Sequence, residues 1–261
     1  MTTPLSFPET TCLDQPVVLI AGVTGGIGSD VARRLARAGW QVAGYARGAD
    51  KLAALQTELH GLHTVVADAT QPAEVAAAVK STIERFGRLD AYVHAVGSIL
   101  MKPAHLTSLD DWQRVIDLNL NSAFYGLKSA VLPMQAQGGG SIVLISSVAA
   151  QAGLPNHEAI AAAKGGVNGL VLAAAASYAN KNVRVNAVAP GLVDTPMAAA
   201  LLGSDQARQM SEKMHPLGKV GRAANVGSLI AWLLSADADW VTGQIWSVDG
   251  GRAHLRSKPK V

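Results

Sequence analysis

The chain has a single cysteine, Cys12, in 261 residues. No intrachain disulfide can form, and this usage fits a reducing, cytoplasmic setting. Charged residues make up only 16% and the net charge is +3, which leaves little for polyanion binding. The basic excess lies in the tail 252–261, where Arg252, Arg256, Lys258 and Lys260 cluster without interleaved aromatics or a DNA-reading motif. That tail reads as solvated, and no nucleic-acid partner is expected. Residues 129–157 carry no charge, yet Pro133, the Gly138–Gly140 run and Pro155 break them into pieces too short to span a bilayer. No membrane partner is expected either. Residues 1–15 lack a basic stretch followed by an apolar run, so they read as an N-terminal extension and not a signal peptide.

Hydrophobic residues make up 49%, with much Ala and Gly, enough for a large core of closely packed helices and sheet. No composition shift divides the chain, and a single α/β domain over 16–251 is expected. Short apolar runs ("PVVLIAG", "QVAGYA", "HTVVAD", "LDAYVHAVG", "SIVLISS", "VRVNAVAP", "QIWSVDGG") alternate with helical periodicity over 27–38, 49–59, 72–86, 109–136, 157–180 and 222–235. This is the pattern of a parallel sheet with helices on both faces. Segment 196–221 is less regular and reads as short helices, either over an open site at the strand ends or packed as ordinary structure.

Between the first strand and helix stand Gly22, Gly26 and Gly28, with Ile27 in the same turn. Glycine there permits a tight turn and close approach of a pyrophosphate to the helix amides, so a dinucleotide site is expected. The second strand ends without a carboxylate to hold a ribose 2′-hydroxyl; Arg47 is there instead, which suits a 2′-phosphate. NADP(H) is therefore favoured over NAD(H). Asp68, ending the third strand, either accepts from the adenine amino group or serves a turn.

With "DLNLNSAFYG", "GSIVLISSVAA", Lys164 on its long helix, "RVNAVAPGLVDTP" and "TGQIWSVDGG" added to the glycine turn, the chain resembles the short-chain dehydrogenase/reductase family from about Pro16 to Gly251. The resemblance implies a doubly wound, Rossmann-type sheet and a nicotinamide cofactor. It makes Asn119, Ser147 and Lys164 members of the catalytic set, places Thr195 at the nicotinamide carboxamide with Pro190 and Val193 in the same loop, and sets the turn after the fourth strand at Gly97. Two positions depart from the pattern. His94 stands where the family has the first Asn of that turn, and Ile160, four residues before Lys164, stands where it has its proton-donating Tyr.

Positions 160 and 164 share a helical face, so Ile160 is expected beside Lys164 with no proton to give. Candidate replacements are His157, with Asn156 expected as N-cap and Glu158 in the first turn, and His94, which either donates or holds its turn. His60 and His63 lack a third ligand, and no metal is expected. The resulting expectation is an NADP(H)-dependent oxidoreductase acting on a small apolar carbonyl or conjugated enone through an atypical proton donor. The alternative is an NADP(H)-binding sensor or subunit with impaired catalysis. Ile99, Leu100, Met101 and Leu154 read as an apolar lining, and a homodimer or homotetramer is expected through the two long helices and the last strand.

Overall fold

Val18 and Ile20 face one side of the first strand and Leu19 and Ala21 the other, and all four are buried, as β-branched and apolar runs are when helices cover both faces of a sheet. The computed structural model describes residues 15–256; Cys12, the signal-peptide reading, most of the extension 1–15 and the tail beyond Arg256 lie outside the described residues.

The chain runs β1 (Val17–Ala21), α1 (Gly26–Arg37), β2 (Gln41–Ala46), α2 (Ala49–Glu58), β3 (His63–Val66), α3 (Pro72–Phe86) and β4 (Ala91–His94). It continues through α4 (Leu109–Ile116), a π-helical turn (Asp117–Asn121), α5 (Ser122–Ala136), β5 (Gly140–Ile145), α6 (Glu158–Tyr178) and β6 (Val183–Pro190). The remainder is β7 (Val193–Asp194), α7 (Asp205–Lys213), β8 (Gly221–Arg222), α8 (Ala223–Leu234) and β9 (Ile245–Val248). The 7-stranded sheet has the order β3-β2-β1-β4-β5-β6-β9, parallel throughout. Strand order reverses between β1 and β4, which opens a crevice at the carboxyl ends of those strands.

Two cores form, one on each side of the sheet. Leu19, Tyr92, Ile142 and Val185 pack under α3, α5 and α6 through Val75, Val79, Val131, Val167 and Val171. Val18, Val93, Val143 and Val188 pack under α1 and α8 through Val31, Leu35, Val226 and Ile230. Truncating a fully buried Leu19 to Ala would cost about 2–5 kcal/mol. The two edge strands, β3 and β9, depart from burial on both faces, with Val66 60% and Trp246 37% exposed. Helix α6 with its following turn, Glu158–Lys181, is long and apolar enough to cross a bilayer by length and composition, but its Val167, Val171 and Ala174 side chains are buried in the first core.

The irregular segment 196–221 contains a 3₁₀ turn (Pro196–Leu201) and α7. Its base is tied by a feature not expected from the sequence: β7 and β8 pair in parallel, Val193 with Gly221 and Asp194 with Arg222.

Candidate active site

The glycine turn, the ends of β2 and β3 and the loop after β4 line one groove of about 890 Å3, which includes Gly22, Gly25, Arg47, Asp68 and Gly97. Gly22 adopts φ +72, and a Cβ on it would lie 2.8 Å from the Ala95 carbonyl oxygen, so both conformation and space require glycine. Gly28 lets α1 sit directly on the Gly22 carbonyl, and Gly26 abuts Thr195, where a Cβ would meet Thr195 Cγ2 at 2.6 Å. Helix α1 begins after Gly25 with no side-chain cap. Its first bond runs from Ser29 N to Gly25 O at 2.8 Å, which leaves the amides of Gly26, Ile27 and Gly28 for an anion.

Arg47 is exposed at the end of β2, beside Gly48, the uncapped N-cap of α2. Lys51, which the sequence reading passed over, lines the same groove. Asp68 serves its turn, its Oδ1 accepting from Thr70 N (2.9 Å) and Thr70 Oγ1 (2.8 Å), while it also lines the groove.

Beyond Gly97 the groove continues into an inner pocket of about 140 Å3 that brings together Asn119, Ser147, Ile160, Lys164, Ile27, Pro190, Val193 and Thr195. Asn119 sits in the π-helical turn, a local widening of the helix, and is fully buried. Its Nδ2 donates to Val115 O and to Ser98 Oγ, both at 2.9 Å, and its Oδ1 accepts from Ser98 N at 3.1 Å. Ser98 is thus a site residue that its position after the Gly97 turn could have signalled. Gly97 leaves room here: a Cβ on it would lie 2.8 Å from Asn119 Oδ1 and 3.5 Å from Lys164 Nζ.

Lys164, 5% exposed, donates from Nζ to Ile145 O at 2.7 Å. Burial pushes its ammonium down to about 8. The Ser147 oxygen accepts from Ala149 N at 3.1 Å, so its hydroxyl proton is free to donate into the pocket. Ile160 is 5% exposed, packed with Val115, Ala149 and Ala163, and lines the pocket with Lys164 as the helical spacing requires.

The two histidine candidates lie in different surroundings. His94 is buried and lines neither the groove nor the inner pocket, so it is excluded as a donor to substrate. It belongs to a hydrogen-bonded row: Tyr45 Oη to Tyr92 Oη, Tyr92 Oη to His94 Nδ1, and His94 Nε2 to Ser122 Oγ, each 3.0 Å. Ser122 Oγ donates to Leu118 O at 2.9 Å. A carbonyl only accepts, so Ser122 must accept from Nε2–H, and Nδ1 accepts from Tyr92. The ring is neutral, its pKa pushed down to about 3 by burial and by the Lys164 charge.

Asn156 is not an N-cap; it takes the left-handed φ 64. Helix α6 starts at Glu158 with His157 as N-cap, φ −116 and ψ 16, and no side-chain cap. His157 Nδ1 donates to Pro155 O at 2.7 Å. The ring lines a second, outer cleft of about 320 Å3 together with Ser147, Ile99, Met101 and Leu154, apart from Asn119 and Lys164. Segment 196–221 contributes Leu201, Met210 and Met214 to this cleft. Arg252, placed by the sequence reading in a solvated tail, also lines it and is half-buried. His63, of the histidine pair, bonds Ser81 Oγ at 2.8 Å and meets Phe86 edge-on.

A family model described as enoyl-(acyl carrier protein) reductase matches residues 22–253. The fold is similar to that of a solved short-chain type dehydrogenase/reductase from Mycobacterium ulcerans, with TM-score 0.88, 35% identity and 93% and 91% of the two chains covered. The chain belongs to the short-chain dehydrogenase/reductase family. Among its relatives in this family, the cyclohexanol dehydrogenase of Acinetobacter sp. strain SE19 is 36% identical over 239 residues, 90% of this chain and 93% of that protein. A variant actinorhodin polyketide ketoreductase solved with NADPH has a TM-score of 0.90 at 29% identity, with 93% of this chain and 99% of that one covered. These short-chain dehydrogenase/reductase relatives are oxidoreductases that act on small molecules, and a nicotinamide cofactor is common to the group.

Proposed function

We propose that this short-chain dehydrogenase/reductase is an NADP(H)-dependent reductase of a small apolar carbonyl or conjugated enone, working without a phenol. The observation that carries the reading is one pocket lined by Asn119, Ser147, Lys164 and Thr195, at the inner end of a groove whose outer end presents Arg47. The chain fits a dinucleotide: the amides of Gly26, Ile27 and Gly28 would hold the pyrophosphate, Arg47 with the start of α2 a 2′-phosphate, Asp68 the adenine end, Lys164 the nicotinamide ribose, and Pro190, Val193 and Thr195 the carboxamide. The cofactor supplies hydride when bound.

Ser147 would donate a hydrogen bond from its free hydroxyl to the substrate oxygen. Asn119 would keep its helix turn and Ser98 in register beside Lys164. Ile160 presents carbon where a proton would be needed for a ketone, and this favours an enone, whose enolate oxygen needs hydrogen bonds first and a proton later. His157, its Nδ1–H tied to Pro155, would relay that proton at Nε2 from the outer cleft.

The test is loss of reduced-nicotinamide absorbance with NADPH, purified protein and a panel of ketones, aldehydes and enones, both neutral and carboxylate-bearing. Consumption with enones ahead of saturated ketones is expected. NADPH binding without consumption across the panel sinks the reductase reading and leaves the second one, a nucleotide-binding sensor or subunit, which the carbon surface of Ile160 favours. For assembly we propose a homodimer or homotetramer through the exposed Phe124 and Leu132 of α5, Leu172 of α6 and Trp246 of β9; a monomer mass at every concentration would overturn it.

A further inference from the structure

The outer cleft is built from apolar side chains such as Ile99, Met101, Leu154, Met210 and Met214, and among the described residues Arg252 is the one Asp, Glu, Lys or Arg that lines it. The acid nearest in sequence, Asp249, is already engaged. Its Oδ1 accepts from Gly251 N at 2.8 Å and its Oδ2 from Ala253 N at 2.7 Å. With Arg252 N bonded to Asp249 O at 3.2 Å and Leu255 N to Gly251 O at 2.9 Å, the carboxylate shapes the turn that returns residue 252 to the cleft. No carboxylate lies within ion-pair distance of Arg252 among the described residues. Burial pulls the guanidinium pKa down, and the charge of Asp249 opposes this only in part.

A half-buried cation without a bonded anion is costly in an apolar wall, and a planar guanidinium fork matches a carboxylate in two parallel hydrogen bonds. Ser147 stands on the wall common to the outer cleft and the inner pocket, whereas Arg252 lines the outer cleft alone. A ligand reaching Ser147 with its carbonyl would extend its other end into the cleft that Arg252 lines.

We propose that Arg252 anchors a carboxylate on the substrate, so that the substrate class is a small apolar carbonyl or enone acid and not a neutral ketone. The inference rests on the outer cleft being the substrate site of the proposed reductase. It is tested by calorimetric titration of the full chain saturated with NADPH, using cyclohexanecarboxylate and, as the uncharged probe of nearly the same shape, cyclohexanecarboxamide. The carboxylate is expected to bind about 10- to 100-fold more tightly, the ratio a charge-assisted hydrogen-bonded pair gives. Arg252→Gln should abolish the preference by lowering carboxylate affinity far more than carboxamide affinity, and Arg252→Lys should keep part of it.

Equal affinity of the two probes for the unaltered protein, binding of neither, or a carboxylate preference that survives Arg252→Gln each overturns the proposal. The comparison on the unaltered protein decides even if a variant fails to fold. A separate NADPH titration and the substrate panel keep the two readings apart: carboxylate preference with NADPH bound and no turnover refutes the reductase and leaves the anion site standing.

Discussion

Replacing Ile160 by Tyr is expected to raise ketone reduction by about 10²- to 10⁴-fold, the range a positioned general acid supplies. Burial alone would push the new phenol up, as it does Tyr45 to about 12. The Lys164 ammonium one helical turn away opposes this. At the roughly 5–6 Å that separates such side chains and an effective dielectric of about 20, its attraction for a phenolate is about 3 kcal/mol, near two pH units. That returns the phenol toward a range in which it can give its proton. The ring must also fit. Ile160 packs against Val115, Ala149 and Ala163, so overpacking would cost about 1–3 kcal/mol of stability, eased by the adjoining pocket of about 140 Å3. The assay is the initial rate of NADPH oxidation with 4-oxocyclohexanecarboxylate, a cyclic ketone that carries the carboxylate, for the unaltered protein, Ile160→Tyr, Ile160→Phe, and Ile160→Tyr combined with Lys164→Met. The Phe variant has the ring without the proton and should show no gain, and the double variant should lose most of it. A folded, NADPH-binding Ile160→Tyr protein no faster than the Phe variant would refute the reasoning.

Three further outcomes are expected. Because the folded Lys164 holds its proton only up to about 8, against 10.5 for the ordinary side chain, the unfolded chain binds more protons in between, and stability should rise from pH 8 to 10.5 by about 3 kcal/mol; urea midpoints that rise no more than those of Lys164→Met would count against it. His94 works at the acid end: its ring stays neutral in the fold down to about 3 while the unfolded ring protonates near 6.5, so its contribution is full above pH 6.5 and is lost as pH falls toward 3. His94→Gln should be less stable at pH 7 by about 1–3 kcal/mol and show a shallower acid slope than the unaltered protein; parallel slopes would contradict the buried neutral ring. Arg47→Ala should weaken NADPH binding about 10- to 100-fold and leave NADH binding nearly unchanged, and an equal loss for both cofactors would remove Arg47 from the 2′-phosphate.

Much of this architecture was legible because its signals are local. Runs such as Val17–Ala21 and Val183–Pro190 are strands whatever surrounds them, and the helical face that joins Ile160 to Lys164 follows from spacing alone. What escaped depends on contacts far apart in sequence. Asn156 has the side chain of an N-cap, but the loop carries it through a positive φ and hands the position to His157. The sequence "DLNLN" has ordinary helical character, and nothing in it announces a π-helical turn. The pairing of Val193 with Gly221 joins residues on either side of an insertion. Arg252 was misplaced because it is followed by Arg256, Lys258 and Lys260 and reads as the start of a basic tail, whereas its position is set by the amides that Asp249 gathers.

The row from Tyr45 through Tyr92, His94 and Ser122 to the Leu118 carbonyl has one sense, every proton directed toward the turn that carries Asn119. Such a row cannot be edited one member at a time, because an apolar substitution at any interior link strands a donor on one side and an acceptor on the other. For a lineage of sequences this makes the four side chains a unit of inheritance. A homologue with a different residue at the His94 position is therefore expected to differ at Tyr92 or Ser122 as well, and such joint replacement can be looked for wherever related sequences diverge.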